Sequence, residues 1–257
     1  MVADHPVRAP RNLTPEQLKA WNEAYDPKNE AFRKANLQGK DLVRWKYQRY
    51  MKDYLRCIAS VDESIGRVLD YLDEAGLADD TIVVYTADHG EMMGDHGYFR
   101  KCEPFEGSAN IPLLIAGSPE LKFRAGKRCL RPVCLEDLLP TLVELASAAC
   151  PAVDGVSLVP VLRGEPKEIR PWLHFEHAPC YSKQQAFHAL TDGRFKYLWR
   201  PNDGTERLFD LDNDPREEHD LSVVADHHDL LERWRERLVQ RLANRPEGFS
   251  DGSRLIP

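Results

Sequence analysis

The sequence predicts an α/β fold followed by a small antiparallel sheet packed on a helix. A long amphipathic pattern over about residues 41–75 leads into an apolar, β-branched run at residues 81–86, and a helix before a buried strand is typical of α/β proteins. A second apolar run at residues 111–116 repeats the strand pattern. Beyond about residue 165 the pattern changes to shorter strands and a terminal helix. We therefore expect two domains, residues 1–165 and residues 166–257.

Two helices are predicted in the N-terminal region. A helix start is indicated by Thr14-Pro-Glu-Gln17, with a Thr cap, Pro at the first position and Gln three residues after the cap. We expect this helix to be short and to reach about Tyr25. The second, longer helix carries apolar residues at steps of three and four. Those residues are Met51, Tyr54, Leu55, Ile58, Ile65, Val68, Leu69 and Leu72. Gly76 is expected to end it.

The apolar runs that follow predict interior strands. Residues 81–86 are too continuously apolar for a half-exposed strand, so we expect a central strand covered on both faces. Residues 111–116 are expected to form a second buried strand, with Pro112 near its start, where a missing N–H donor is tolerated. Residues 135–149 have a helical pattern, in which Pro140 lies in the first turns or at a kink.

The C-terminal part predicts a four-stranded antiparallel sheet. The strands are expected at residues 172–176, 186–191, 195–199 and 207–211. Asp192-Gly193 is a strong hairpin signal between the second and third of them. A helix over about residues 226–242 is expected to pack on this sheet through one apolar face. That face consists of Leu230, Leu231, Trp234, Leu238 and Leu242.

A cluster of ionisable residues directly follows the strand at residues 81–86. It consists of Asp88, His89, Glu91, Asp95, His96, Arg100 and Lys101. Ligand sites of open α/β sheets lie beyond the carboxyl ends of the strands, so this cluster predicts a functional site. We expect Asp88 and His89 to converge with the cation Lys101 at this site.

Composition excludes several classes of function. The chain has 257 residues, 42% of them hydrophobic, and a net charge of −7, so it can bury a sizeable core but lacks the positive charge typical of nucleic-acid binding. No run of 18 apolar residues and no signal-peptide core are present in the sequence. We therefore expect no nucleic-acid partner and no membrane segment. As written the chain would be cytoplasmic, and a missing N-terminal signal would make it periplasmic or secreted.

The other metal-type residues follow no zinc pattern. The cysteines are Cys57, Cys102, Cys129, Cys134, Cys150 and Cys180. They form no C-x-x-C motif, so we expect buried or free thiols. His174 and His177 flank two residues of a predicted strand and would point to opposite faces, so packing or surface roles are expected for them.

The residues that carry the candidate site resemble the C-terminal half of a sulfatase of the alkaline phosphatase superfamily. The similarity begins with Asp80-Thr-Ile-Val-Val-Tyr-Thr-Ala-Asp-His-Gly and continues through Lys101, Glu106-Gly-Ser and Ile111-Pro-Leu-Leu. Further family landmarks occur in the same order over about residues 45–225. The resemblance implies an alkaline-phosphatase-like sheet with flanking helices, here incomplete.

The resemblance also implies roles for individual residues. Asp88 and His89 match the family's ligands for a divalent metal, usually calcium, and carboxylate oxygen is what a hard cation prefers. Lys101 matches the lysine that contacts the sulfate oxygens. His96 either lines the substrate entrance or braces the loop. The substrate implied is a sulfated small molecule or a glycan.

The sequence also departs from the family pattern. The family nucleophile is a formylglycine made from the first residue of C/S-x-P-x-R, and no such motif is present in this chain. Cys102-Glu-Pro-Phe-Glu106 has Glu where Arg is needed. The strand with paired aspartates is absent too, and His5 is a weak match to the family's upstream histidine. We expect the chain alone to bind metal poorly, to be inactive and to be prone to aggregation.

Three hypotheses about function follow. The first is a hydrolase of sulfate esters that lacks its nucleophile motif in this chain. The second is a phosphonate monoester or phosphodiester hydrolase of the same superfamily, which shares the Asp-His-Gly motif. The third is a non-catalytic chain that packs against a partner and binds no metal.

Overall fold

A computed structural model describes residues 8–165, 169–178 and 185–257. The chain divides into two compact units. The first runs to Tyr71 and includes residues 97–99, and the second comprises residues 72–96 and 100–257. His5 and Cys180 lie outside the described residues. Among the helices of the described ranges, none combines the length and apolarity that crossing a bilayer requires.

Helix α1, Pro15–Ala35, begins at the predicted capping box. The Thr14 side chain accepts a hydrogen bond from the Gln17 amide at 3.3 Å, and the Thr14 amide donates to Gln17 Oε1 at 2.9 Å. The helix continues well past the predicted end and through Pro27. Contacts beyond Pro27, such as the Phe32 ring on the Trp45 ring with centroids 4.6 Å apart, hold this extension against the second helix.

Helix α2, Gly39–Glu74, confirms the long amphipathic pattern. It ends where predicted, because Gly76 takes a φ of 67° and the Leu77 amide bonds back to the Leu72 carbonyl at 2.8 Å. None of its residues is fully buried. Ile58 and Val68 remain 45% and 59% exposed, so the apolar stripe is largely uncovered in this chain.

Strand β1, Val83–Thr86, pairs antiparallel with strand β2, Leu113–Ala116. The prediction that these strands are interior is wrong for this chain, since Tyr85 is 45% and Leu114 is 59% exposed. Within the described residues this sheet has two strands, so the apolar side chains on the face that carries Tyr85 and Leu114 stay open to solvent. This uncovered apolar strand surface is the reason that aggregation of the isolated chain stays a prediction.

One short helix lies between β1 and β2, and two more lie between β2 and the second sheet. Helix α3 is Glu106–Ala109, helix α4 is Leu138–Leu145 and helix α5 is Val159–Leu162. Pro140 is buried in the first turn of α4, where its missing N–H leaves no hydrogen bond unmade. The helix ends at Leu145, four residues before the predicted end at residue 149.

The C-terminal sheet contains β3, Leu173–His177, β4, Phe187–Thr191, β5, Phe195–Trp199, and β6, Glu206–Asp210. All neighbours are antiparallel in the order β3-β4-β5-β6, which confirms the predicted strands to within a residue or so. The Asp192-Gly193 turn joins β4 to β5. Asp192 Oδ1 accepts from the Phe195 amide at 2.7 Å, and Gly193 takes a φ of 96°.

Helix α6, His228–Leu242, packs on this sheet as predicted. The core that they share consists of Leu190, Tyr197, Trp199 and Leu208 from the strands, and Leu231, Trp234, Leu238 and Leu242 from the helix. Arg235 adds a charged clamp, because its guanidinium binds both Glu206 carboxylate oxygens at 2.7 Å. The described chain is thus a mixed α/β structure with a separate antiparallel layer, in agreement with the predicted fold class.

Candidate active site

The end of β1 carries Asp88 and His89 into a loop. Thr86 Oγ1 donates to the Pro112 carbonyl at 2.8 Å, which fixes the end of β1 to the chain entering β2. The Asp88 side chain is 83% exposed, and its Oδ1 accepts from the His89 amide at 3.0 Å. A solvated carboxylate at this position is available to a hard cation.

The His89 ring is oriented by the neighbouring backbone. Its Nδ1 lies 2.8 Å from the Gly90 carbonyl oxygen, which can only accept, so in the neutral ring Nδ1 carries the hydrogen and donates it. Nε2 then holds the free lone pair, and it lies 3.5 Å from Asp88 Oδ2. A carbonyl that fixes the tautomer in this way is typical of metal-binding histidines.

Lys101 completes the group, since its Nζ lies 2.6 Å from His89 Nε2. Asp88, His89 and Lys101 therefore meet at one place in the structure. The ammonium now uses the lone pair that a metal would need, so a metal and Lys101 can both be accommodated only if the lysine turns towards an anion. One carboxylate and one imidazole fit part of a calcium site, because calcium takes six to eight oxygen ligands.

Gly90 fixes the loop against α3. Its amide donates to the Ser108 carbonyl at 2.8 Å, and a Cβ at this position would lie 2.2 Å from the Gly107 carbonyl oxygen. No side chain fits in that space without moving backbone. The motif glycine is therefore required by close packing directly after His89.

The loop between His89 and Lys101 has a strained backbone. Three non-glycine residues within it have positive φ, namely Met93, His96 and Arg100, and Cys102 directly after Lys101 has one too. The fully buried Met92 holds the loop, since its amide donates to the Arg100 carbonyl at 2.8 Å and its side chain packs with Phe105 and Phe209. Such strain persists only where surrounding contacts impose it, and it is common at functional sites.

His96 stacks on the buried Phe105 ring, with centroids 3.9 Å apart and ring planes 14° from parallel. This contact ties the glycine-rich turn to the core beneath it. The structure thus gives His96 a packing partner of the kind that bracing the loop requires, and brings Asp88, His89 and Lys101 together without it.

Behind the loop lies a buried charge cluster centred on Lys196. Its ammonium donates to the Pro104 carbonyl at 3.0 Å and pairs with Glu106 at 2.6 Å and Glu217 at 2.7 Å. The Glu106 amide also donates to Glu217 Oε2 at 2.6 Å. Burial raises the pKa of Glu217, and Lys196 opposes that rise. Strand β5 thus holds the segment that follows Lys101.

A second buried anion, Asp137, organises the chain around α4. It accepts from the Cys134 amide at 2.9 Å and the Val156 amide at 2.8 Å, and it pairs with the Arg170 guanidinium. Burial alone would raise the pKa of Asp137, but the Arg170 and backbone hydrogen bonds hold it below the ordinary value. Burial together with Asp137 raises the pKa of the nearby Cys134 thiol to about 11, so this thiol is unreactive at neutral pH.

Asp88 and His89 line a groove of about 2260 Å³. Typical ligand pockets have about 300–1,000 Å³, so this groove is broad for a small molecule. A basic segment with Lys127, Arg128 and Arg131 forms part of its wall.

The five cysteines of the described ranges are free thiols, as expected.

A second group of metal-type side chains lies on the C-terminal sheet. His174, Glu176 and His188 bring one ligand atom each to within 4.8 Å of one another, so they form a possible metal site. Burial lowers the pKa of His174 to about 4 and also lowers that of His188, while Glu176 opposes both shifts. Both shifts favour the neutral form of the rings at pH 7.

Sequence reasoning missed two of these features. In the sequence His174 has only His177 as a near histidine neighbour. Its partner His188 is brought opposite Glu176 by the register of β3 and β4, which local sequence does not show. Sequence reasoning also gave Lys196 no role, although a lysine between Phe195 and Tyr197 in a buried strand is itself a signal of a paired charge.

Comparisons with known proteins agree with this geometry. The family model Sulfatase matches residues 10–148, and the model for the C-terminal part of N-sulphoglucosamine sulphohydrolase matches residues 94–244. An N-acetylglucosamine-6-O-sulfatase of Bacteroides thetaiotaomicron is 34% identical in an alignment of 224 residues that covers 84% of this chain and 40% of that protein. The chain thus spans less than half the length of this relative.

Solved structures of similar proteins extend the likeness to the fold. The structure of a protein in complex with its substrate D-glucosamine-2-N,6-O-disulfate has a TM-score of 0.79 and 30% identity, covering 93% of this chain and 50% of that one. A phosphonate monoester hydrolase of Agrobacterium radiobacter has a TM-score of 0.63 and 31% identity, covering 72% and 40%. Membership of the family that the Sulfatase model describes implies that a metal ion is bound. With one family model matching more than half of it, the chain belongs to the sulfatase family of the alkaline phosphatase superfamily.

Proposed function

We propose that this chain supplies the metal-binding and sulfate-binding side of a sulfate-ester hydrolase active site. The observation that carries the proposal is the meeting of Lys101 Nζ with His89 Nε2 at 2.6 Å, beside the exposed carboxylate of Asp88. A pair of cation ligands beside an ammonium group suits a tetrahedral oxyanion held between a metal and a lysine.

Each residue then has a distinct task. Asp88 and His89 hold a divalent ion, which we propose is calcium and which would neutralise charge on the sulfate oxygens. Lys101 binds a sulfate or leaving-group oxygen, and its charge counts most in the transition state, where negative charge on that oxygen grows. His96 braces the turn through Phe105 and does not touch the substrate.

The nucleophile must come from residues that this chain does not contain. The family's formylglycine arises within C/S-x-P-x-R, which this sequence lacks. Without that nucleophile the chain alone cannot carry out the family's covalent catalysis, so we expect the isolated chain to be inactive. In this proposal residues 1–165 form part of the catalytic domain and residues 166–257 form a subdomain that supports the Lys101 loop from behind through Lys196.

The proposed substrate is a sulfated small molecule or a glycan. The groove beside Asp88 is wide enough for a sugar chain, and Lys127, Arg128 and Arg131 on its wall would attract further sulfate groups. The solved structure with a disulfated glucosamine supports this class, because 93% of the present chain aligns with that protein.

A phosphonate monoester or phosphodiester substrate is the alternative. The likeness to a phosphonate monoester hydrolase at 31% identity favours it specifically. The metal pair and Lys101 suit either tetrahedral anion, so these residues do not discriminate between sulfur and phosphorus. A non-catalytic chain remains a third proposal, in which neither metal nor sulfate binds at Asp88 and Lys101.

A chimera tests the activity. Residues of the N-acetylglucosamine-6-O-sulfatase aligned with this chain would be replaced by it, so that the relative supplies the nucleophile motif. We expect hydrolysis of an aryl sulfate, and Lys101→Met should lower kcat by roughly 10²–10³, as removal of one charge-stabilising donor does. Lys19→Met, which changes an exposed helix lysine, serves as the matched control.

The substrates tested decide between the hypotheses. Faster hydrolysis of an aryl phosphonate ester than of an aryl sulfate would favour the alternative. A chimera that folds, binds no calcium and shows no activity on either would support the non-catalytic reading. Aryl sulfatase activity of the isolated 257-residue chain would contradict the assignment of the nucleophile to residues outside it.

A further inference from the structure

The His174, Glu176 and His188 group has a defined origin in the C-terminal sheet. His174 and Glu176 are two residues apart on β3 and so share one face, and His188 lies directly opposite Glu176 on β4. His188 Nδ1 is 2.9 Å from Glu176 Oε2 and 3.2 Å from His174 Nε2, and His174 Nε2 is 3.7 Å from Glu176 Oε2. Three potential ligand atoms therefore form a small triangle.

The size of this triangle matches a tetrahedral metal site. Zinc bonds of about 2.0–2.1 Å to nitrogen and oxygen place tetrahedral ligand atoms about 3.3–3.4 Å apart. The three distances, 2.9, 3.2 and 3.7 Å, lie on both sides of that value. A single ion could therefore contact all three atoms with small side-chain adjustments.

Hydrogen bonding alone leaves this triangle incompletely satisfied. His188 Nδ1 has either one hydrogen or one lone pair in its neutral forms, so it can donate to Glu176 or accept from His174, but not both. The imidazole side chains of His174 and His188 are each only 6% exposed, which limits access of water to them. A cation would satisfy both ring nitrogens and the carboxylate together.

The surroundings hold the three side chains in place. Arg245 binds both oxygens of Glu176, at 2.6 and 2.8 Å, in the manner of an outer-shell partner that orients a ligating carboxylate. Glu247 pairs with Arg245 at 2.7 Å and offsets its positive charge. The His188 ring packs beside Trp199 and Phe249, with centroids 5.8 and 5.2 Å away. The ligand atoms are thus arranged before any ion arrives.

We propose that His174, Glu176 and His188 bind one zinc ion. Two imidazoles and one carboxylate are a donor set that zinc favours over calcium or magnesium. His174 and Glu176 line the groove, so the fourth position of the ion faces it and can take water or an anionic group of a ligand. This site is separate from the Asp88–His89 pair and does not depend on the proposed hydrolase function.

Zinc binding to the chelator-treated 257-residue chain tests the proposal, by competition with a chromophoric chelator. We expect one tight equivalent of zinc. His188→Gln and Glu176→Gln should each weaken binding by at least roughly 100-fold, the upper end of what an outer-shell change costs. His177→Gln is the matched control on the same strand, because residue 177 points to the opposite face from residue 174. Asp88→Asn should leave this equivalent in place.

Cobalt gives an independent readout, since a four-coordinate cobalt complex absorbs strongly in the visible range and a six-coordinate one does so weakly. We expect strong bands in the wild-type chain and in His177→Gln, and their loss in Glu176→Gln. The partly exposed Glu176 also decides the matter if His188→Gln does not fold. The proposal would be overturned if the wild-type chain bound no tight equivalent of zinc. It would also be overturned if His177→Gln lost as much zinc affinity as Glu176→Gln, or if Glu176→Gln kept the wild-type zinc affinity.

Discussion

Replacing Lys196 with methionine should destabilise the C-terminal sheet and release the segment that follows Lys101. Lys196 is 1% exposed, and its three contacts reach Pro104, Glu106 and Glu217. Glu106 keeps access to solvent, whereas the Glu217 side chain is 2% exposed and would lose its counter-charge. Removing one partner of a buried pair costs about 3–5 kcal/mol.

Proton uptake limits this cost and gives the prediction its pH dependence. Burial already raises the pKa of Glu217, and without Lys196 the rise is larger. A raised folded-state pKa contributes stability below the unfolded value, which is about 4.3 for Glu, and that stability is lost as pH rises through the folded value. The penalty of Lys196→Met should therefore be smaller at pH 5 than at pH 8.

Urea unfolding followed by tryptophan fluorescence measures the effect, because Trp199 and Trp234 are both buried in this core. The double variant Lys196→Met/Glu217→Gln removes the charge and should recover most of the loss, since a carboxamide still accepts from the Glu106 amide. The reasoning would be refuted if the free energy of unfolding of Lys196→Met lay within about 1 kcal/mol of the wild-type value. It would also be refuted if the double variant were no more stable than the single one.

Three further predictions follow from the buried contacts. Asp137→Asn should lower the free energy of unfolding by about 3–5 kcal/mol, because it leaves the Arg170 guanidinium without its counter-charge. The pKa of Asp137 is lowered in the folded state, so the stability difference between wild type and variant should disappear as pH falls through that pKa, which acid unfolding measures. Gly90→Ala should cost at least about 1–3 kcal/mol and should weaken calcium binding by the chimera, measured by calorimetry, since its Cβ would lie 2.2 Å from the Gly107 carbonyl oxygen. Trp234→Ala should lower the free energy of unfolding by about 3–5 kcal/mol, whereas Val223→Ala, at a residue 84% exposed, should stay within about 0.5 kcal/mol.

Local patterns predicted much of this structure because the signals act over a few residues. The Thr14 capping box, the end of α2 at Gly76 and the Asp192-Gly193 hairpin are all local, and all are confirmed. The length of α1 was missed because contacts such as Phe32 on Trp45 stabilise a helix past Pro27. The exposure of Tyr85 does not follow from the apolar run itself, because composition indicates which strand would be buried, whereas burial depends on the neighbours present.

By itself the sequence determined the order of helices and strands, the family and the position of the candidate site residues from Asp88 to Lys101. The sequence also predicted that Lys101 meets His89, but only the tertiary structure decided that Lys196 supports their loop from a distant strand and that His188 joins His174 and Glu176. The physical reason is the range of the interactions. Backbone propensities and turns act between near neighbours, but charge pairing and metal coordination depend on which distant segments the packed core brings to within about 3–4 Å.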